Sequence, residues 1–404
     1  MKNSTDGRID DIEALRAIAV TITIFDHLLF LTPWNPSGLS HLYQWFNFWA
    51  GVDLFFAISG FVIAKSLFNQ LDGTRDSITF WRGAIAFWIR RIYRIWPSSL
   101  LWMIIVVVLS VALRNTGLMQ SPRQNFADLT AVVLQVANFH WAFCHATDRE
   151  FCGDIGVWWS LSLEEQFYIV LPICAWIFKK RLPYFLGGVA LLQLFLHRES
   201  PSFLWYVRTD AICLGVLLAY FTRTKIYREL RPTFLECRWL ALPIVALAVV
   251  LLISLPENDS GKPVIVTFTT GLVALVSVAL VFVASFNSDY IVRARMLKPI
   301  FLWVGSRSYS IYLIHLPAMI ITRAIWYFIE PQGTVFAGNF FLRFFSVWFV
   351  LMLGLSELNY RLLEQPLRRK GREVARRFQS CDAPISKGPQ KVVAKNIHAP
   401  LDAG

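Results

Sequence analysis

Ten apolar stretches, most of them near the length that crosses a bilayer, dominate this chain. Such stretches fold stably where hydrocarbon replaces water and the backbone hydrogen-bonds to itself as helix. They fall at 12–31, 50–68, 95–113, 158–178, 183–197, 209–222, 239–255, 264–284, 300–328 and 340–358. Those at 183–197 and 209–222 are short for a crossing, and the one at 300–328 is long enough to tilt or to kink at Pro317. Composition agrees, with 56% hydrophobic and 16% charged residues, against roughly 25% charged in soluble domains. The expected fold class is an all-α, polytopic transmembrane helical protein with about ten spans.

Charge sets the expected orientation. Basic groups crowd alternate connections: Arg90, Arg91 and Arg94 before the third stretch, Lys179, Lys180 and Arg181 after the fourth, and Arg368, Arg369 and Lys370 after the tenth. The intervening segments 32–49 and 330–339 contain no Lys or Arg. The positive-inside rule then places both termini in the cytoplasm. The net charge of +12 is accounted for by this pattern. Anionic lipid headgroups and an anionic substrate are the expected partners, and nucleic acid is not. No cleavable signal peptide is visible, and residues 371–404 lack apolar periodicity and are expected to form a disordered cytoplasmic tail. Cys144 and Cys152 share a polar segment that this topology puts outside, where an oxidising compartment would permit a disulfide. No cysteine grouping suggests a metal site.

Ionisable residues inside apolar stretches mark sites or pathways. Arg16 and His27 are eleven residues apart, about three helical turns, so they share a face with a rise of about 16 Å between them. Histidine is suited to taking a proton from a hydroxyl near neutral pH, and arginine to holding a phosphate. The bland alternatives are a packing histidine and an interfacial, snorkelling arginine. Asp26 points about 100° away from His27 on the helix, yet is near enough to orient its imidazole. Asp53 either caps the second helix or serves a site. Glu164 and Glu165 follow Trp159 into the fourth stretch, and desolvation argues that at least one meets an Arg or His from another helix. Arg208 and Asp210 open the sixth, to pair with each other or with those carboxylates. His315, near Tyr312, precedes Pro317 and is placed to bond a carbonyl that the proline releases. The run Arg90, Arg91 and Arg94 is either a topology signal or, with Arg16, a receptor for phosphates.

In this order and spacing, DIEALRAIAV (11–20), His27, GVDLFFAISGFVI (51–63), FWIRRIYRIWP (87–97), WSLSLEEQFYIVLP (159–172), RTDAICLG (208–215), GSRSYSIYLIHLP (305–317) and LLEQPLRRK (362–370) resemble the acyltransferase-3 family of membrane proteins. That family includes bacterial O-acetyltransferases acting on surface polysaccharides. The resemblance runs from about residue 8 to 370, so 1–370 is expected to be the acyltransferase-3-like domain. It departs where Glu13 and Ala14 replace the commoner aspartate and glycine, and where Arg8 is offset by one. Some members carry a hydrolase-like domain after the membrane part, which this sequence is too short to hold.

The resemblance implies a multi-pass protein of the bacterial inner membrane that carries an acyl group, most simply acetyl, from acyl-CoA to a carbohydrate hydroxyl. His27 would be catalytic, with Glu164, Glu165 or Asp26 stabilising its imidazolium. Arg16, with Arg90, Arg91 and Arg94, would receive the donor's phosphates. Asp53, Trp159, Arg208, Asp210, Tyr312 and His315 would support the substrate or the structure. No permanently bound cofactor is expected, since acyl-CoA is a substrate. The carbohydrate would be reached from outside, and polysaccharide-assembly proteins are the expected neighbours. A glycan transporter or flippase and a noncatalytic scaffold are the rival readings.

Overall fold

The computed structural model describes residues 8–71, 76–147, 150–199, 201–255 and 267–380. Apart from short 3₁₀ turns and one π-helical turn, its regular structure is entirely α-helical among the described residues. In chain order the helices are α1 (Asp10–His27), α2 (Ser37–Trp45), α3 (Ala50–Leu71), α4 (Ser77–Ala112), α5 (Pro122–Val133), α6 (Ala137–Ala146), α7 (Trp158–Phe178) and α8 (Leu182–Leu194). They continue as α9 (Phe203–Tyr206), α10 (Asp210–Phe221), α11 (Lys225–Glu229), α12 (Arg238–Ser254), α13 (Thr269–Ser285), α14 (Lys298–Ile329), α15 (Phe341–Asn359) and α16 (Gln365–Ser380).

Seven helical stretches among the described residues are long and apolar enough to cross a membrane. Three of the expected spans fall below that length. The stretch at 183–197 is the 13-residue α8, reached from α7 through the tight turn Lys179–Arg181. Those near 239–255 and 264–284 are the shorter apolar helices Trp239–Ser254 and Thr269–Ser285, the second beginning after residues that lie outside the described set. At the C-terminal end α16 carries helix to Ser380, into the segment expected to be disordered. Residues 381–404 lie outside the described residues.

Two close backbone contacts organise the bundle. A Cβ on Gly60 would lie 2.1 Å from the Ile212 carbonyl oxygen, and one on Gly215 would lie 2.3 Å from that of Ala57. These reciprocal positions make α3 and α10 antiparallel with backbones in contact, which only glycine permits. A Cβ on Gly305 would lie 1.9 Å from the Glu13 carbonyl oxygen, so α14 packs directly on α1. His27 and His315 meet further along the same two helices, and the pair therefore runs parallel. Prolines are accommodated by side chains. Pro172 cannot donate to the Tyr168 carbonyl one turn back, and the Trp88 indole N–H of α4 does so instead at 3.0 Å. That bond fixes α7 against the basic end of α4.

Between α4 and α7, a disulfide joins Cys144 of α6 to Cys152 in the connection that leads to α7, in line with the sequence argument.

If the α3–α10 contact organises the fold, Gly215→Val should cost about 1–3 kcal/mol or more through overpacking. Gly187→Val, whose new Cβ would meet nothing within 4 Å, should leave the melting temperature of the detergent-solubilised protein nearly unchanged.

Candidate functional site

Three chambers follow one another along α1. The first, of about 420 Å³, is lined by six basic side chains, Arg8, Arg16, Lys65, Arg94, Arg368 and Arg372, and by only two acids, Glu13 and Glu364. Arg16 donates to Glu13 at 2.6 Å. Glu364 sits in a π-helical turn, Tyr360–Glu364, that turns it into the bundle. There it accepts from Ser310 (3.0 Å) and Arg368 (3.3 Å).

Arg16, Arg94 and Tyr309 also line the second chamber, a narrow space of about 90 Å³. Its walls add Arg91, Ser59, Glu164, Tyr168 and Tyr312. Glu164 accepts from the Tyr168 hydroxyl at 2.5 Å and from Ser59 at 3.2 Å. Arg91 lies over the rings of Phe87 and Tyr168.

Tyr312 and Val52 are shared with the third chamber, of about 320 Å³. It holds Asp26, His27, Trp49, Trp141, Trp159, Trp205, Asp154 and Arg323. Trp49 and Trp141 line it, whereas Trp45 is exposed and lines none of the three chambers. The backbone amide of Gln120 and the Asn125 side chain hold Asp154 (3.1 and 2.9 Å). Burial nevertheless pushes its carboxyl above the ordinary carboxylate range.

His27 is the last residue of α1, before the tight turn Leu28–Leu31, and its backbone (φ −104°, ψ 0°) lies in the sparsely used bridge region. Its Nδ1 is 2.9 Å from the Thr23 carbonyl oxygen. A carbonyl only accepts, so Nδ1 carries the hydrogen and Nε2 presents a free lone pair. Asp26 Oδ2 is 3.9 Å from that Nε2.

Two further buried ion pairs line none of these chambers. Arg208 binds Asp53 bidentately (Nε–Oδ1 3.0 Å, Nη2–Oδ2 2.9 Å), with both side chains fully buried. The guanidinium sits against Trp205, Trp159 and Trp49, with ring centroids at 4.0, 4.8 and 5.1 Å. Asp210 pairs instead with buried Arg198 at 2.5 Å. Arg208 and Asp210 thus pair neither with each other nor with Glu164 and Glu165. Sequence offered no way to see this, because Asp53 and Arg198 lie on other segments.

Residues 9–356 match the family described as an acyltransferase domain. The chain belongs to that family. It is 26% identical over 388 residues to a peptidoglycan O-acetyltransferase, OatA, of Listeria monocytogenes, covering 90% of this chain and 56% of the relative. It is 25% identical to a putative O-acetyltransferase of Staphylococcus aureus (90% and 58% covered) and 25% identical to a putative peptidoglycan O-acetyltransferase of Bacillus subtilis (90% and 55%). The chain therefore spans little more than half the length of these curated relatives. No solved structure matches it. With the long apolar helices, membership of the acyltransferase family makes it a multi-pass integral membrane protein.

Within this acyltransferase-family chain, the sequence-derived candidates divide by place. Arg16, Arg91, Arg94 and Glu164 meet in the narrow chamber, and Asp26, His27 and Trp159 in the third one, with Tyr312 between. Arg90 lines none of these three chambers, and its Nη2 is buried without a partner among the described residues. Glu165 lies behind the chamber wall, with Oε1 likewise unpartnered. Neither glutamate contacts His27, whose ring neighbours instead His315, at 3.3 Å. His315 donates to the Tyr312 carbonyl (2.7 Å) rather than to that of Leu313, the one Pro317 releases. Sequence reading missed Ser59, Tyr168, Lys65, Glu364 and Arg372 as lining groups. The acid Glu364 within an otherwise apolar and basic segment was the one usable signal.

The buried Asp53–Arg208 pair gives a sharp expectation. Asp53→Asn should cost about 3–5 kcal/mol by stranding a buried guanidinium and should lower the amount of folded protein in membranes. The double change Asp53→Leu with Arg208→Met should restore much of that amount, as measured by detergent-resistant folded fraction.

Proposed function

We propose that this protein is an O-acyltransferase that moves an acyl group, most simply acetyl, from acyl-CoA to a hydroxyl of a surface or exported carbohydrate. The observation that carries this reading is the succession of three chambers that share wall residues, from a pocket with six basic groups to an imidazole with a free Nε2. The relatives named as O-acetyltransferases support the same chemistry.

On this reading the phosphates of CoA rest among Arg8, Arg16, Lys65, Arg94, Arg368 and Arg372 in the basic chamber. The slender pantetheine arm passes the narrow chamber, whose small volume excludes the nucleotide. The thioester carbonyl then faces His27. Nε2 takes the proton of the acceptor hydroxyl as its oxygen attacks that carbonyl. Collapse of the tetrahedral intermediate expels the CoA thiolate, which recovers the proton from the imidazolium. The products are the O-acyl ester and free CoA. Asp26, near Nε2, stabilises the transient imidazolium. The aromatic walls of the third chamber, Trp49, Trp141, Trp159 and Trp205, suit the apolar faces of sugar rings. A ten-helix crossing with both termini in the cytoplasm, supported by the alternation of basic connections, puts the basic chamber on the side where acyl-CoA is made. The inner membrane of a bacterium is the corresponding location.

With membrane abundance held equal, His27→Ala should lower acyl transfer by about 10²–10⁴-fold. The measurement is radiolabelled acetyl-CoA supplied to membrane vesicles, with label counted as base-labile ester on glycan. Full transfer by that variant would remove His27 from the catalytic role, and vectorial movement of unmodified glycan without labelling would mark a transporter instead. The double variant Arg368→Ala, Arg372→Ala should raise KM for acetyl-CoA about tenfold or more with kcat little changed, since each charge-assisted contact contributes about 1.5–3 kcal/mol. Unchanged KM would place the phosphates elsewhere.

A further inference from the structure

The second histidine has no place in the chemistry so far, yet it is fully buried and touches His27. His315 Nδ1 lies 2.7 Å from the Tyr312 carbonyl oxygen, and Nε2 lies 3.3 Å from His27 Nδ1. The two rings are 5.1 Å apart between centroids. The backbone of His315 is itself held, because the Trp348 indole of α15 donates to its carbonyl at 3.0 Å.

These contacts admit one arrangement of hydrogens. The Tyr312 carbonyl can only accept, so His315 carries its proton on Nδ1, and its Nε2 is a bare acceptor while the ring is neutral. His27 Nδ1 faces two acceptors, the Thr23 carbonyl at 2.9 Å and His315 Nε2. A His27 protonated only on Nε2 would set its Nδ1 lone pair against both. The surroundings therefore hold His27 in the tautomer whose Nε2 is free.

We infer that His315 is a positioning residue for the transfer reaction, a neutral acceptor that, beside the Thr23 carbonyl, reinforces the tautomer of His27 and shares its Nδ1–H while Nε2 holds the acceptor's proton. This inference rests on the reading of His27 as the base. It assigns His315 the part that a carboxylate or backbone carbonyl often takes behind a working imidazole. A neutral partner suits this depth, because it orients the ring without placing another charge in the membrane interior. As His27 becomes imidazolium, the bonds from Nδ1–H to His315 Nε2 and the Thr23 carbonyl become charge-assisted and strengthen.

Other ionisable groups lie on the elements packed around this pair. On α1 there is Asp26, and on α14 Tyr312, whose hydroxyl donates to the Val157 carbonyl at 2.9 Å. On α7 there is Glu164, held by Tyr168 and Ser59, while Arg208 is neutralised by Asp53 of α3. Asp154, Arg323 and His145 stand at the far wall of the third chamber. All of them remain in place when His315 alone is changed.

The test compares His315→Gln, His315→Phe and His27→Ala in the full chain, in vesicles from expressing cells whose own glycans are the acceptors. Radiolabelled acetyl-CoA is the donor, and initial rates are measured across pH at equal abundance. A glutamine amide can donate to the Tyr312 carbonyl and accept from His27, whereas phenylalanine only fills the space. His315→Gln should keep most of the rate and the wild-type pH profile. His315→Phe should lose about tenfold to a hundredfold in kcat with KM for acetyl-CoA unchanged. Its acid limb should also move to lower pH by about half to one unit, because the imidazolium has lost an acceptor. If the phenylalanine variant fails to reach the membrane, His315→Ala gives the same reading. A wild-type rate in His315→Phe overturns the inference, and so does equal impairment of both variants with the acid limb unmoved. In either case an inactive His27→Ala leaves the catalytic reading standing. An active His27→Ala overturns both.

Discussion

The cost of an ionised group away from water governs where every charge in this bundle sits. Inside the apolar stretches a charge must be paired, bonded or opened to a polar cavity. Asp53 with Arg208 and Asp210 with Arg198 take the first course, and both pairs are sealed inside the protein. The tryptophan rings stacked around Arg208 extend that seal, since their faces favour a guanidinium without offering water a path. Glu164 takes the second course through two hydroxyls. Only after these are removed does the functional pattern show. The third course is taken by Arg16, Arg94, Arg368 and Arg372 on one side, where the bases outnumber the acids Glu13 and Glu364, and by Asp26 on the other, all facing open chambers.

The same economy explains why backbone contacts matter more than apolar side-chain contacts. In lipid, apolar side chains gain little by choosing one helix over another, so close van der Waals approach and hydrogen bonds set the register. Gly60 and Gly215 lock α3 to α10, which delivers Asp53 to Arg208. Gly305 locks α14 to α1, which brings His315 behind His27. Pro172 frees a carbonyl that Trp88 satisfies, and this ties Glu164 and Tyr168 to the helix of Arg91 and Arg94. The helices are positioned by a few residues that look unremarkable in the apolar pattern.

That difference accounts for what could be read beforehand. Apolar length and the distribution of Arg and Lys expose helical membrane architecture because both act locally along the chain. The Arg16–His27 spacing was legible for the same reason, since one helix fixes the geometry between them. Pairings between segments were not. Glu164 and Glu165 looked like natural partners of an imidazole, but α7 presents Glu164 to the narrow chamber and turns Glu165 away from it. Arg90, Arg91 and Arg94 looked alike as a basic run, yet only Arg91 and Arg94 line the cavities, a distinction set by what packs against α4 rather than by spacing. Arg368 read as a topology signal because its lining role depends on the π-turn before α16.

The separation of the two ends of the site has a chemical consequence on the proposed reading. If phosphate binding and proton removal occupied one pocket, the cationic groups that hold the donor would disfavour the imidazolium formed beside them. Setting Arg16 about 16 Å along α1 from His27 removes most of that repulsion. The base then depends on near neighbours alone: a carboxylate at Nε2, and a carbonyl and a neutral histidine at Nδ1. A membrane helix can supply this arrangement because it is long and straight, and because lipid forbids stray charge. The solvent that makes buried ions costly is thus also what lets one helix carry a donor site and a base at a fixed distance.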